Sequence, residues 1–211
     1  SIPLYVPDGL VSNYQNATGW RNFTNYIEQY TFWQELDTDN WSDELNWLSM
    51  ELPGENDVVC ISYNCDVDID VNVLHVYVYN INDVLTVKSG KTLTTTYGLG
   101  IIQPSQLVME EGSQLYNTIP GIYGTVQRQI SGYSTGDGGW YTLATPIYGG
   151  TAVSGLTAGT YDLYAYDEAT AYWRNQKLSA NNLTQLNPAQ GYLYASSAAK
   201  PLSMAGQLNA S

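Results

Sequence analysis

The chain reads as all-β: a short right-handed parallel β-helix (solenoid), preceded by a helical cap segment and followed by additional strands. Three observations predict this. DVLTVKSGKTLTT, from Asp83, lies over SQLVMEEGSQLYN, from Ser105, without a gap. Leu85 falls on Leu107, Val87 on Met109, Gly90 on Gly112 and Leu93 on Leu115. Each copy is a short strand, a glycine corner and a second strand, the unit that a solenoid stacks to bury its inward residues. The flanking sequence is also strand after strand, with polar and apolar residues alternating. Finally, 19 Tyr, 19 Gly and a charged fraction of only 13% suit half-buried strands joined by tight turns. A plain β-sandwich is the alternative.

Four segments follow in order. Residues 1–30 form a helical end segment. Asp8 is placed to cap a helix carrying Leu10, Tyr14 and Ala17, Gly19 stops it, and Trp20, Phe23 and Ile27 continue at the spacing of a second short helix. Residues 31–57 are a Trp-rich transition, whose tryptophans would plug the exposed strand edges of the first coil. A sugar-binding platform is the other reading of these rings. Residues 58–130 hold the solenoid, ending in the strand Gly124–Ile130. Residues 131–211 are a turn-rich β region with a hairpin turning near Asp167–Thr170 and two strands around Lys200 and Pro201.

Composition excludes several functions. A formal net charge of -13 repels the phosphates of nucleic acid and of anionic lipid. There is no apolar run long enough to span a membrane, so no direct membrane insertion is expected. Two cysteines and a single histidine cannot assemble a four-ligand structural zinc site. Cys60 and Cys65 enclose only ISYN; they form either a tight disulfide, which would fit an oxidising compartment, or two buried thiols.

Chemistry is sparse. In CDVDIDVNV the carboxylates of Asp66, Asp68 and Asp70 share one strand face, spaced about 7 Å apart, a ladder and not a cluster. One of them could join an oxygen donor from a neighbouring coil to hold Ca²⁺, the one cofactor considered; a solvated outer face is the plainer reading. The acidic run Asp37, Asp39, Asp43 and Glu44 departs from an EF-hand loop, because Trp41 stands where a ligand belongs. His75, the single histidine, sits among tyrosines on an alternating strand and reads as hydrogen-bonded, not catalytic. Lys88 and Lys91 flank the Gly90 corner, where a solvated role suffices. Aromatic density is the strongest binding signal: Tyr77 and Tyr79 on one strand, and Tyr164, Tyr166 and Trp173 at the expected hairpin. Cross-strand pairing alone would also explain them.

Three stretches resemble secreted or surface proteins of the Bacteroidetes. YVPDGLVSNYQNATGWRNFTNYIE resembles the closing segment of their leucine-rich-repeat arrays. Trp41-Ser42, Asn46-Trp47, Leu52-Pro53-Gly54 and Asn56-Asp57-Val58-Val59 are similar to the entry into their short β-solenoids. Arg128, Trp140, Pro146, Tyr166, Trp173, Gly191 and Gly206 follow the order found after such solenoids. The resemblance implies an extracellular or cell-surface location, with further domains of the same chain before Ser1 and after Ser211. It implies no catalytic motif. The expected function is a non-catalytic scaffold or adhesion module that binds host protein or glycan through an exposed β surface. The alternative is a carbohydrate-active enzyme, a polysaccharide lyase or glycosidase, on a β-helix.

Overall fold

The echo in the sequence is a strand register. In the computed structural model, which describes residues 4–6, 11–28, 30–133, 139–156 and 160–209, Leu85 pairs with Leu107, Val87 with Met109 and Leu93 with Leu115, all in parallel. The expected cap at Asp8 lies outside the described residues. The chain is all-β, with one short α-helix and a few 3-10 turns among the described residues. It divides into two compact units, Ser1–Ile122 and Tyr123–Ser211.

In the first unit, β1 (Leu4–Val6) pairs in parallel with β2 (Tyr26–Glu28), Leu4 against Tyr26, and helix α1 (Val11–Asn16) lies between them in sequence. The second short helix expected over Trp20–Ile27 does not form. Turns at Ala17 and Trp20 lead into β2 instead. Tyr26 and Ile27 favour extended backbone, and β1 offers them a strand partner.

The rest of the first unit is built on three parallel rows. The first joins β3 (Thr31–Phe32), β4 (Val58–Ile61), β7 (His75–Val78) and β10 (Leu99–Gly100). The second joins β5 (Cys65–Val67), β8 (Leu85–Val87) and β11 (Leu107–Met109); the third joins β6 (Val71–Val73), β9 (Thr92–Thr95) and β12 (Gln114–Asn117). From β4 onward the chain visits the rows in turn and returns to the first, in three rounds. Alternation then decides what is buried. Val59, Ile61, Val76 and Val78 of the first row are buried, as are Leu85, Val87, Leu107 and Met109 of the second and Val71, Val73 and Leu93 of the third. Each such side chain contributes roughly 1.5–3 kcal/mol on leaving water. The corners at Gly90 (φ +72°) and Gly112 (φ +80°) are left-handed, which a Cβ would strain by about 1–2 kcal/mol.

The Trp-rich segment covers the open edge of the first round. Trp33 N–H donates to the Cys60 carbonyl, Trp41 N–H to that of Asp66, and Asp66 N–H to that of Asp39. These bonds extend the ladders of β4 and β5 onto the Trp-rich segment. Trp33, Trp41 and Trp47 are each about 1% exposed, with Trp47 between the other two at ring separations of 5.0 and 4.7 Å.

In the second unit, β13 (Tyr123–Ile130) pairs antiparallel with β20 (Lys200–Gln207) along its whole length, from Tyr123↔Gln207 to Ile130↔Lys200. The strand Gly124–Ile130 expected from the sequence thus runs against β20, and the division into units falls just before it. A four-stranded antiparallel sheet follows the order β14 (Tyr141–Leu143), β19 (Tyr192–Ser196), β16 (Tyr161–Asp167), β17 (Tyr172–Asn175), and β15 (Thr151–Ala152) pairs with β18 (Gln185–Leu186). The hairpin turn falls between Asp167 and Tyr172, where the sequence places it. Ile130, Leu143, Leu163, Ala165, Tyr192, Tyr194, Leu202 and Met204 meet in one buried core, so this sheet and the β13–β20 pair share it.

Charge is divided as sharply as topology. Residues 123–211 hold four acids (Asp137, Asp162, Asp167, Glu168) and four bases (Arg128, Arg174, Lys177, Lys200). The second unit is therefore formally neutral, and the net -13 lies wholly in residues 1–122.

Candidate binding surfaces

The expected aromatic residues lie on two surfaces, one in each unit. In the first unit the outward residues of the first row are Tyr30, Phe32, Cys60, His75, Tyr77, Tyr79, Gly100 and Ile102, as the registers Phe32↔Cys60, Cys60↔Tyr77 and Tyr77↔Gly100 require. Tyr77 and Tyr79 line a groove of about 600 Å³ there, together with Tyr30, Phe32 and Ile102. Its shape depends on Gly100: a Cβ at that position would stand 2.5 Å from Cδ1 of Tyr77, so the ring lies where a side chain would have been. His75 packs against the Tyr77 ring at 4.1 Å, and its Nδ1 is 2.9 Å from the Tyr97 carbonyl. A proton on Nδ1 makes that bond; Nε2 is buried and has no hydrogen-bond partner among the described residues.

In the second unit Tyr164 and Tyr166 alternate with Ala165 on β16 and share a face, and Tyr166 is directly opposite Trp173 on β17. The Tyr166 and Trp173 rings are 5.1 Å apart; Trp140, which packs edge-on against Tyr164 at 5.5 Å, extends the same surface. Tyr166, Trp173 and Trp140 are 40%, 43% and 56% exposed. Two hollows meet at Tyr166. One, of about 500 Å³, is lined by Trp173, Thr142, Gly191 and Leu193; the other, of about 420 Å³, by Asn181, Asn182, Gln185 and Asn187. Glu168 and Gln190 border both. Arg174 also lines the second hollow but is ion-paired to Asp167. The Thr170 hydroxyl first, and then Arg174, hold the Asp167 carboxyl below its ordinary range. Neighbouring Lys177 is paired with Asp162 at 2.6 Å.

The three carboxylates named as calcium ligands do not converge. Asp66 pairs with Lys88 Nζ at 3.3 Å. Asp68 accepts from the backbone N–H and the hydroxyl of Ser42, at 2.9 and 2.6 Å, and Asp70 accepts from Thr92 N–H. Each ties a different segment to its row. Among the described residues no group of three or more His, Cys, Asp or Glu side chains is arranged to hold a metal ion. In the other acidic run, Asp43 caps a 3-10 turn at Glu44–Asn46. Lys88 does more than face solvent: it bridges Asp66 and Glu110, the latter at 2.7 Å. The cysteines are not a disulfide; both are free and buried. Cys60 points outward beneath Phe32 and Tyr77, whereas Cys65 is fully buried in register with Leu85, so the two thiols leave the chain on opposite sides. Burial pushes the Cys60 thiol up to about 11 and raises that of Cys65 well above its ordinary value.

No family model, curated protein or solved structure matches this chain. The Bacteroidetes resemblance thus stands on its sequence motifs alone. Among the described residues no helix is long and apolar enough to cross a membrane. Sequence reasoning misses Glu168, Gln190 and Trp140 as site residues. Trp140 is visible as one member of a motif, but nothing local links Gln190 to Tyr166, because the pairing of β16 with β19 brings them together.

Proposed function

We propose that this chain is a non-catalytic scaffold and adhesion module of a secreted or surface-attached bacterial protein, holding host protein or glycan against an exposed β surface. One observation carries the proposal: two ring pairs, Trp140–Tyr164 and Tyr166–Trp173, stand on one face of the antiparallel sheet. Partly exposed Tyr and Trp offer large, rigid contact area at low entropic cost, and contiguous exposed rings on a rigid sheet mark contact surfaces. The polar groups elsewhere support a structural reading. His75 is committed to Tyr97 and Tyr77, and Asp66, Asp68 and Asp70 each tie down a neighbouring segment.

The three parallel rows are the faces of a short right-handed β-helix, a reading supported by the order in which the chain visits them. The resemblance to a leucine-rich-repeat end is supported by β1 and β2, parallel strands whose register sets Leu4 on Tyr26, a step within the repeat length of such arrays. The module presents its surface on a stiff body, and domains on either side would set its distance from the cell.

The proposal is tested by retention of chain-coated beads on mucin- and collagen-coated surfaces, with albumin as the blank, beside a reducing-end assay on polysaccharides. Retention without release of reducing ends is expected. Turnover would overturn the reading and favour the carbohydrate-active alternative.

A further inference from the structure

We infer that the second unit binds a neutral oligosaccharide chain across Tyr166, one sugar ring lying on the Tyr166–Trp173 pair and the next entering the amide-lined hollow. The inference rests on the reading that this face is a contact surface, and it adds the ligand's chemical class.

Shape comes first. The two hollows share Tyr166, Glu168 and Gln190, and their volumes of about 500 and 420 Å³ fall in the range of small-ligand sites, roughly 300–1,000 Å³. Two hollows that share a border at Tyr166, Glu168 and Gln190 suit a chain of repeating units, passing over that border, better than a single compact molecule. The pyranose ring presents an apolar C–H face that lies flat on an aromatic ring, and Tyr166 and Trp173 are both partly exposed.

The second observation is the polar lining. The Tyr192 hydroxyl donates to Gln190 Oε1 at 2.8 Å, and Asn187 Nδ2 donates to the same oxygen at 3.4 Å. That hydroxyl also accepts from Asn187 N–H at 2.7 Å. Tyr192 is itself buried, so it anchors the Gln190 amide and the Asn187 backbone from beneath. With its oxygen used twice, Gln190 retains its NH₂ to donate. Asn181 donates its NH₂ to the Asn175 carbonyl and retains its oxygen to accept. Side-chain amides offer donors and acceptors together, as sugar hydroxyls do.

Charge then narrows the class. Arg174, the cation among the described residues that line the hollows, is spent on Asp167, and Glu168 stands at the junction of both. A sulfated, phosphorylated or uronic-acid chain would meet a carboxylate and no available cation among these residues, in a unit that is neutral overall.

The test titrates the full chain with cello-, manno-, xylo- and chitohexaose, and with heparin and alginate fragments, following tryptophan fluorescence and heat. Saturable binding of at least one neutral hexaose, tighter than about 1 mM, is expected. It should be unchanged between about 50 and 500 mM salt, and the anionic fragments should not bind. Trp173→Ala and Tyr166→Ala should each weaken binding about tenfold or more. Should Trp173→Ala misfold, Gln190→Ala reads the amide hollow with both rings intact, and a several-fold loss is expected. No saturation by any neutral hexaose, binding of heparin that salt abolishes, or affinity untouched by all three substitutions would each overturn the inference. In those cases beads still retained on mucin or collagen leave the adhesion reading standing with another ligand. Release of reducing ends, in contrast, would remove the adhesion reading itself.

Discussion

Truncating Trp47 to Ala should open the first unit. Trp47 is about 1% exposed, lies between Trp33 and Trp41, and donates its indole N–H to the Trp41 carbonyl at 2.9 Å. Loss of a buried Trp side chain costs about 3–5 kcal/mol, and the stranded carbonyl adds about 1–3 kcal/mol if water does not reach it. Against a domain stability of about 5–15 kcal/mol, a loss of about 4 kcal/mol is a large share. It raises the open population about a thousandfold. The assay is built into the chain: Cys60 and Cys65 are free, buried and confined to the first unit. Thiol labelling by an aromatic disulfide reagent therefore reads the opening of that unit, in proportion to the open population when reclosing is fast. Trp47→Phe keeps most of the ring and should cost about 1–2 kcal/mol. Labelling raised less than about tenfold by Trp47→Ala would refute the view that the tryptophans close the end of the parallel rows.

Other expectations follow from single contacts. Reducing agent should leave the melting midpoint unchanged, with both thiols titrating only on unfolding; a fall of more than about 5 °C would point to a disulfide. The Glu110 carboxyl is held below its ordinary value of 4.5, chiefly by the hydrogen bond from Lys88. Its folded value is depressed, so its contribution is present above 4.5 and is lost as pH falls through the folded value. Glu110→Gln should therefore cost up to about 1 kcal/mol at neutral pH and nothing near pH 2, read by urea titration; a cost independent of pH contradicts this. Gly100→Ala should displace the Tyr77 ring and cost about 1–3 kcal/mol, and an unchanged midpoint would show that the groove is not shaped by that glycine. Gly90→Ala should cost about 1–2 kcal/mol through its left-handed backbone alone.

The echo is legible because the second row from β8 onward and the third row repeat at one length. Leu85 pairs with Leu107 and Val71 with Leu93, the same step along the chain in both rows. The first two strands of the first round do not show the repeat, since Val59 pairs with Val76 and Cys65 with Leu85, two shorter and unequal steps. Corners of different length leave the stacking intact and erase the sequence period. Alternation marks which side of a strand is buried but not which strand lies beside it. That is why the pairing of Tyr123–Ile130 with Lys200–Gln207 is not visible in the sequence. The cysteines illustrate the same limit: close in sequence, they sit on strands of different rows and point to opposite sides. The aromatic candidates are legible one by one, whereas the amides around them are assembled by pairing across distant residues.

The central claim, that the outer aromatic face of the second unit is where ligand is held, meets its most direct test in the indole N–H signals of the chain's six tryptophans. Titration with mucin glycopeptides or a neutral hexaose should move the signals of Trp140 and Trp173 and leave those of buried Trp33, Trp41 and Trp47 in place. Shifts confined to Trp20 or to the buried three, with Trp140 and Trp173 unmoved at saturation, would contradict it.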